Sequence, residues 1–128
     1  MHARSLIIAA VLALTSASAA MAHAAQLAPA LQGHPVVVRI HADWCPACRA
    51  TDATVTSVRA KYRGDIHFVD FDVTDAKTSA VASAQAKRLG LDGFYEANKT
   101  QTSTVGIIDP RTGAVIATLY ADTSLDDY

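Results

Sequence analysis

The chain has 128 residues, 51% apolar and 18% charged, with 11 Lys and Arg against 12 Asp and Glu and only two cysteines. A single domain is the expectation at that length. A net charge of -1 without any block of like charges leaves no electrostatic footprint for DNA or RNA, so nucleic-acid binding is set aside. Two cysteines three positions apart are no disulfide scaffold.

In chain order, residues 1–25 read as a secretory signal. His2 and Arg4 give a short polar start and an unbroken apolar stretch follows over residues 6–14. Small residues then offer Ala-x-Ala cleavage sites at Ala20, Met21, Ala22 and at Ala22, His23, Ala24. The apolar stretch is too short for a membrane-spanning segment. Cleavage leaves one domain over residues 26–128 in an oxidising compartment, a bacterial periplasm or the cell exterior. An uncleaved anchor that tethers the domain to the membrane is the alternative.

Residues 26–35 form a lead-in with one helical turn over 27–31, ended by Gly33 and Pro35. Residues 36–41, Val-Val-Val-Arg-Ile-His, are largely β-branched and continuously apolar, which suits a strand covered on both faces. From 46 to 62 the period changes: Thr51, Val55, Val58 and Tyr62 recur at helical spacing, and Gly64 stops the helix. Residues 66–73 make a second strand carrying Phe68, Val69, Phe71 and Val73, and the Ala-rich residues 77–89 a second helix closed by Gly90. Residues 94–101 read as a polar, irregular insertion whose Phe94 and Tyr95 either form a lid beside Cys45 or enter the core. Residues 104–108 and 114–120 are strands joined by the turn formers Asp109, Pro110, Arg111, Thr112 and Gly113. The order β-α-β-α-β-β predicts an α/β fold: a mixed sheet flanked by helices, the first two strands parallel and the last two an antiparallel hairpin.

Trp44, Cys45, Pro46, Ala47 and Cys48 mark the junction of the first strand and the first long helix. A thiol at a helix N-terminus faces unpaired backbone N–H groups and the positive end of the helix dipole, and both favour thiolate. Pro46 suits the first turn, where its missing N–H costs nothing. Cys48, one turn on, lies on the same side as Cys45 and within reach of a disulfide with it. Three readings of the pair compete. A structural bridge closing so short a loop would contribute only about 2 kcal/mol, the low end for a disulfide. A structural zinc site needs four ligands, and beyond the pair only His34, His41 and His67 are on offer, without a second Cys-x-x-Cys. Redox exchange is the favoured reading.

Residues 36–75 and 104–120 resemble a thioredoxin-fold protein of the secreted thiol-disulfide oxidoreductase type. The resemblance is carried by residues 36–40, by Ala42, Asp43, Trp44, Cys45, Pro46, Ala47 and Cys48, by residues 68–75 and by the distal hairpin 103–113. It implies a trimmed thioredoxin-like core, with the lead-in too short for the family's complete first strand and helix, and with only a turn of the usual terminal helix. It further implies that Cys45 is the exposed nucleophile forming a mixed disulfide with substrate, that Cys48 is the buried resolving thiol, and that Trp44 walls the site. With Pro46 and the loop at Ser103 and Thr104, Trp44 would contact substrate.

Several positions depart from the family pattern. Arg39 stands where a buried carboxylate is usual and Asp70 where a lysine is usual. A guanidinium in a central strand is costly unless paired, so an Arg39–Asp70 ion pair beneath the thiols is expected, with Asp70 as proton acceptor for Cys48. Ser103 occupies the place of a cis-proline; a trans peptide is expected there, because a non-proline cis bond costs about 2.5–4 kcal/mol. His41 replaces an aromatic residue, either as a packed strand histidine or as a ligand or acid–base group turned toward the thiols.

The leading reading is a cofactor-free thiol-disulfide oxidoreductase acting on cysteines of other exported proteins. Its partners would be protein thiols and disulfides and a redox partner in the membrane or periplasm. The absence of a histidine just before Cys48 leans it toward reduction. The alternative is a soft-metal protein of the copper type using Cys45, Cys48 and His41; a catalytically quiet interaction module that keeps the pair is the third possibility.

Overall fold

A computed structural model of the chain describes residues 26–128; the expected signal, residues 1–25, lies outside the described residues. The elements run β1 (Val36–His41), α1 (Pro46–Lys61), β2 (His67–Asp72), α2 (Ala76–Leu89), α3 (Asp92–Asn98), β3 (Thr104–Ile108) and β4 (Val115–Tyr120). Single 3-10 turns occupy Pro29–Leu31 and Leu125–Asp127. The strands form one sheet in the order β2-β1-β3-β4, with β1 and β2 parallel and both other pairings antiparallel. This is the mixed α/β sheet expected from the order of elements.

Alternation along β1 sorts the molecule into layers. Val36, Val38 and Ile40 join Val69, Phe71 and Ile108 on one face, where Ala82 and Ala86 of α2, Leu91, and Phe94 and Tyr95 of α3 close the main core over them. Arg39 points to the other face, beneath α1, whose Thr51, Val55 and Val58 are the buried stripe. Leu27 and Leu31 of the lead-in plug the open end of the main core. Gly90 ends α2 at φ 73°, and a Cβ there would meet the carbonyl oxygen of Gln26 at 2.5 Å, so the lead-in passes where only glycine leaves room.

Residues 94–101 are not an irregular insertion. Residues 92–98 are the helix α3, and Phe94 and Tyr95 are core residues rather than a lid beside Cys45. Leu91, Phe94 and Tyr95 fall on one face of α3, which packs against α2 through a hydrogen bond from Tyr95 Oη to the Ser79 carbonyl at 2.9 Å. Phe94 lies over β3 at Gly106, where a Cβ would come within 2.3 Å of its ring. On the opposite face, the residues after β4 run back across α1, held by Thr54 Oγ1 donating to the Thr123 carbonyl at 2.9 Å.

Candidate functional site

The chain leaves β1 through Ala42, Asp43 and Trp44 and enters α1 at Cys45, which caps the helix. Cys45 is extended, its Sγ accepts the N–H of Cys48 at 3.0 Å, and Pro46 occupies the first turn. The sulfur thus takes the part that a hydroxyl or carboxylate oxygen usually plays at a helix start. Both cysteines are free thiols and pack with Ala42, Ala47 and Val73 in a small cluster apart from the main core. Cys48 is fully buried and Cys45 is 3% exposed, so the exposed nucleophile implied by the resemblance is not what the structure holds. The cap turns Sγ toward the helix backbone, and Val73, beyond β2, packs against the cluster that covers it.

Burial alone would push the Cys45 thiol up. Hydrogen bonds from the Cys48 thiol, the Thr102 hydroxyl and the N–H groups of Cys48 and Ala47 outweigh it and hold Cys45 below an ordinary cysteine. Cys48 moves the opposite way: burial raises it first, then the proton it shares with Cys45, with backbone bonds at Ala42 and Ser103 offsetting only part. The two thiols are therefore moved in opposite directions, Cys45 down and Cys48 up.

The loop carrying Trp44 is fastened to the end of β2. Asp43 N–H donates to Thr74 Oγ1 at 3.0 Å and the Trp44 indole N–H to the Thr74 carbonyl at 2.9 Å. Thr74 in turn donates through its hydroxyl and N–H to Asp72 Oδ1 at 2.5 and 2.8 Å. Burial would raise the Asp72 carboxyl, but the Thr74 bonds, His41 and Thr78 hold it below the usual carboxylate range. Trp44 stays 59% exposed and Pro46 is exposed beside it, so these two form the rim of the site.

Ser103 and Thr104 do not face outward. Ser103 is 2% and Thr104 1% exposed. Ser103 adopts φ 66° with a trans peptide, gives its N–H to the Ile40 carbonyl at 2.8 Å and accepts at its own carbonyl from Ala121 N–H at 3.1 Å. Its hydroxyl lies 3.4 Å from Thr51 Oγ1, which donates to the Cys48 carbonyl at 3.0 Å. The residue of this loop that helps lower the Cys45 thiol is Thr102, one position earlier.

Arg39 Nε donates to Asp70 Oδ1 at 2.8 Å and its Nη1 to Asp52 Oδ1 at 2.9 Å, while Arg59 binds Asp70 Oδ2. Burial works against the charge on Arg39, yet Asp70 and Asp52 more than offset it and its pKa is raised. Both Asp70 oxygens are thus occupied by guanidinium groups, and among the described residues no hydrogen bond joins Asp70 to Cys48. His41 Nε2 is turned onto Asp43 Oδ1 at 3.3 Å, and its Nδ1 is buried without a partner. Among the described residues no group of three His, Cys, Asp or Glu is placed to hold a metal ion, so Cys45, Cys48 and His41 are not a ligand set.

The family model for thioredoxin matches residues 17–108. The chain belongs to the thioredoxin family. Its structure is similar to that of Trxlp from Edwardsiella tarda EIB202, at 23% identity over 76% of this chain and 80% of that one, with a TM-score of 0.50. It is likewise similar to MTB dsbF in its mixed oxidized and reduced forms, at 24% identity over 77% of this chain and 78% of that one, TM-score 0.52. Fasciola hepatica thioredoxin matches at 19% identity over 73% and 75% of the two chains, TM-score 0.50. No curated protein sequence matches the chain. At these identities the likenesses establish the thioredoxin fold, and family membership carries thiol-disulfide oxidoreductase chemistry in general terms.

Within this thioredoxin framework, four supporting residues escaped the sequence reading. Thr51 bonds the Cys48 carbonyl, Thr74 holds the loop before Cys45, Asp72 acts through Thr74, and Thr102 lowers the Cys45 thiol. Asp72 and Thr74 carried a local signal, since Asp-x-Thr at a strand end is a side-chain-to-backbone turn pattern. Thr51 stood on the helically spaced stripe of α1, which gave no sign of its bond to the Cys48 carbonyl, and Thr102 carried no signal.

Proposed function

We propose that this protein exchanges its Cys45–Cys48 dithiol with disulfides of exported proteins, working as a reductant. The observation that carries the exchange chemistry is the helix-capping Cys45 sulfur, held below an ordinary cysteine by donated hydrogen bonds while burial and the bond to Cys45 raise Cys48; it does not set the direction. In the forward step the Cys45 thiolate attacks one sulfur of a substrate disulfide; a Cys45–substrate bond forms, the substrate S–S bond breaks and the leaving thiolate takes a proton from water. Cys48 then attacks Cys45 Sγ as its proton passes through solvent to the departing substrate sulfur; the Cys45–substrate bond breaks, the Cys45–Cys48 disulfide closes and the second substrate thiol is released. The dithiol loses two electrons and the substrate gains them, and the chemistry draws on no cofactor.

The apolar rim of Trp44 and Pro46 would receive substrate, and a 3% exposed Cys45 requires the 102–103 loop or the rim to yield as substrate arrives. Asp70 is assigned to the ion network rather than to proton transfer. A reducing potential is supported by Ala47, which offers the Cys45 thiolate no charge beyond its backbone N–H. We place the working compartment in the periplasm or outside the cell, on the strength of the signal-like residues 1–25 and a redox partner there that returns the dithiol.

The test is insulin disulfide reduction with dithiothreitol as electron source, run beside a titration against glutathione. Activity that disappears in both Cys45→Ser and Cys48→Ser, a mixed disulfide that accumulates only in Cys48→Ser, and a potential nearer about -270 than -120 mV are the expected results. An inactive wild-type protein would overturn the enzymatic reading, and a potential near the upper figure would overturn its direction.

A further inference from the structure

β4 closes one margin of the sheet, and nothing among the described residues covers it. Val115, Ile116 and Tyr120 are 48, 64 and 58% exposed. The bond from Ala121 N–H to the Ser103 carbonyl, with Leu119 opposite Val105 and Ala117 opposite Ile107, directs the backbone groups of residues 117, 119 and 121 toward β3. Those of Thr118 and Tyr120 must therefore point away from the sheet. The other margin, β2, likewise turns the backbone groups of Phe68, Asp70 and Asp72 outward, since residues 67 and 73 donate to β1.

The two margins differ in how they are guarded. An open edge invites another strand, and proteins blunt such edges with charges, prolines or bulges. β2 carries Asp70 and Asp72, with Arg59 drawn onto it. β4 has no charge and no proline, and its bulge lies at its start, opposite Ile107 and Ile108, leaving residues 117–120 regular.

We infer that β4 pairs antiparallel with β4 of a second copy of this chain, joining two sheets into one of eight strands. Two-fold pairing sets an uncharged strand against itself and incurs no like-charge contact, whereas the same pairing of β2 would oppose aspartates. The ends agree in sign as well. Arg111, its side chain 87% exposed, lies just before β4, and Asp122, Asp126 and Asp127 lie just after it. Antiparallel pairing brings Arg111 of each copy, which pairs with Asp109 of its own turn at 3.6 Å, toward the acidic end of the other.

A contact of one strand edge with Ile116 and Tyr120 is small beside standard interfaces, so association should become evident only between about 10 µM and 1 mM. The experiment is sedimentation equilibrium over that range with the full-chain protein kept reduced, so that no intermolecular disulfide imitates the dimer, together with amide hydrogen exchange. The expected results are a mass rising toward two chains and exchange at Thr118 and Tyr120 slowing about tenfold with concentration while Phe68, Asp70 and Asp72 are unchanged. Thr118→Lys, at an exposed position, is expected to weaken association at least tenfold with an unchanged melting temperature. A one-chain mass at every concentration, protection that falls on the β2 amides instead, or a Thr118→Lys protein that associates like the wild type would overturn the inference.

Discussion

Gly106→Ala should destabilise the protein although the backbone there is an ordinary strand conformation. Its new Cβ would stand 2.3, 2.7 and 3.0 Å from Cε2, Cζ and Cδ2 of Phe94, against the roughly 3.5–4.0 Å at which carbon atoms rest. Phe94 is 7% exposed and wedged between α3 and the sheet, so relief requires the ring, and α3 with it, to move out by about 1 Å. Overpacking of this kind costs about 1–3 kcal/mol. Removing a glycine from the unfolded chain returns about 0.4–1 kcal/mol. The net loss is at most about 2.6 kcal/mol and centres near about 1.3 kcal/mol, which at about 4 °C per kcal/mol lowers the melting temperature by about 5 °C, and by about 10 °C at most. Thermal unfolding of the reduced protein followed by far-ultraviolet circular dichroism measures it, and Phe94→Leu completes a double-mutant cycle. In the Phe94→Leu background the cost of Gly106→Ala should shrink by about 1 kcal/mol or more, because the smaller side chain vacates the space. A Gly106→Ala protein at least as stable as the wild type, or a cost that is the same with leucine at 94, would refute the reasoning.

Three further outcomes follow from the site and its supports. Alkylation of Cys45 by iodoacetamide should rise with pH to a plateau whose midpoint lies below that of a free cysteine. Thr102→Val should shift that midpoint upward, and an unmoved midpoint would show that the hydroxyl does not reach the sulfur. Asp70→Asn should cost about 1–2 kcal/mol in urea unfolding, less than the 3–5 of a fully buried pair because Asp70 is a third exposed and Asp52 still holds Arg39, whereas Arg39→Met should stay within about 1 kcal/mol of wild type. The opposite order would undo this account of the network, and exchange rates of Asp70→Asn across neutral pH should match the wild type. Asp72 has its carboxyl depressed on folding, so its contribution is present above the ordinary carboxylate range and lost as pH falls through the lower folded value. The stability gap between wild type and Asp72→Asn should accordingly narrow in acid, and a gap that widens there would contradict the shift.

The parts of this molecule legible in its sequence are those whose cause is local. The β-branched residues 36–41, Pro46 in the first turn of α1 and the turn formers 109–113 each impose a conformation through their own backbone preferences. The capping position of Cys45 is legible for the same reason, since a strand followed by Pro46 leaves only one place for the helix to begin. α3 was hidden because it is short and starts without a side-chain cap; its stability comes from Phe94 meeting Gly106 and Tyr95 meeting Ser79, contacts spread across the chain. The burial of Cys45 depends on Val73, and that of Ser103 on Ile40 and Ala121. None of these is a near neighbour in sequence, so no periodicity announces them.

Trp44 is the chain's single tryptophan, and its indole is tethered at one end to Thr74 while the remainder meets solvent. A fluorophore fixed in that way next to the sulfur of Cys45 does not tumble independently of it. Its emission is expected to differ between the dithiol and the disulfide, with no second indole to interfere, and a titration with oxidised dithiothreitol that leaves the emission unchanged would rule this out.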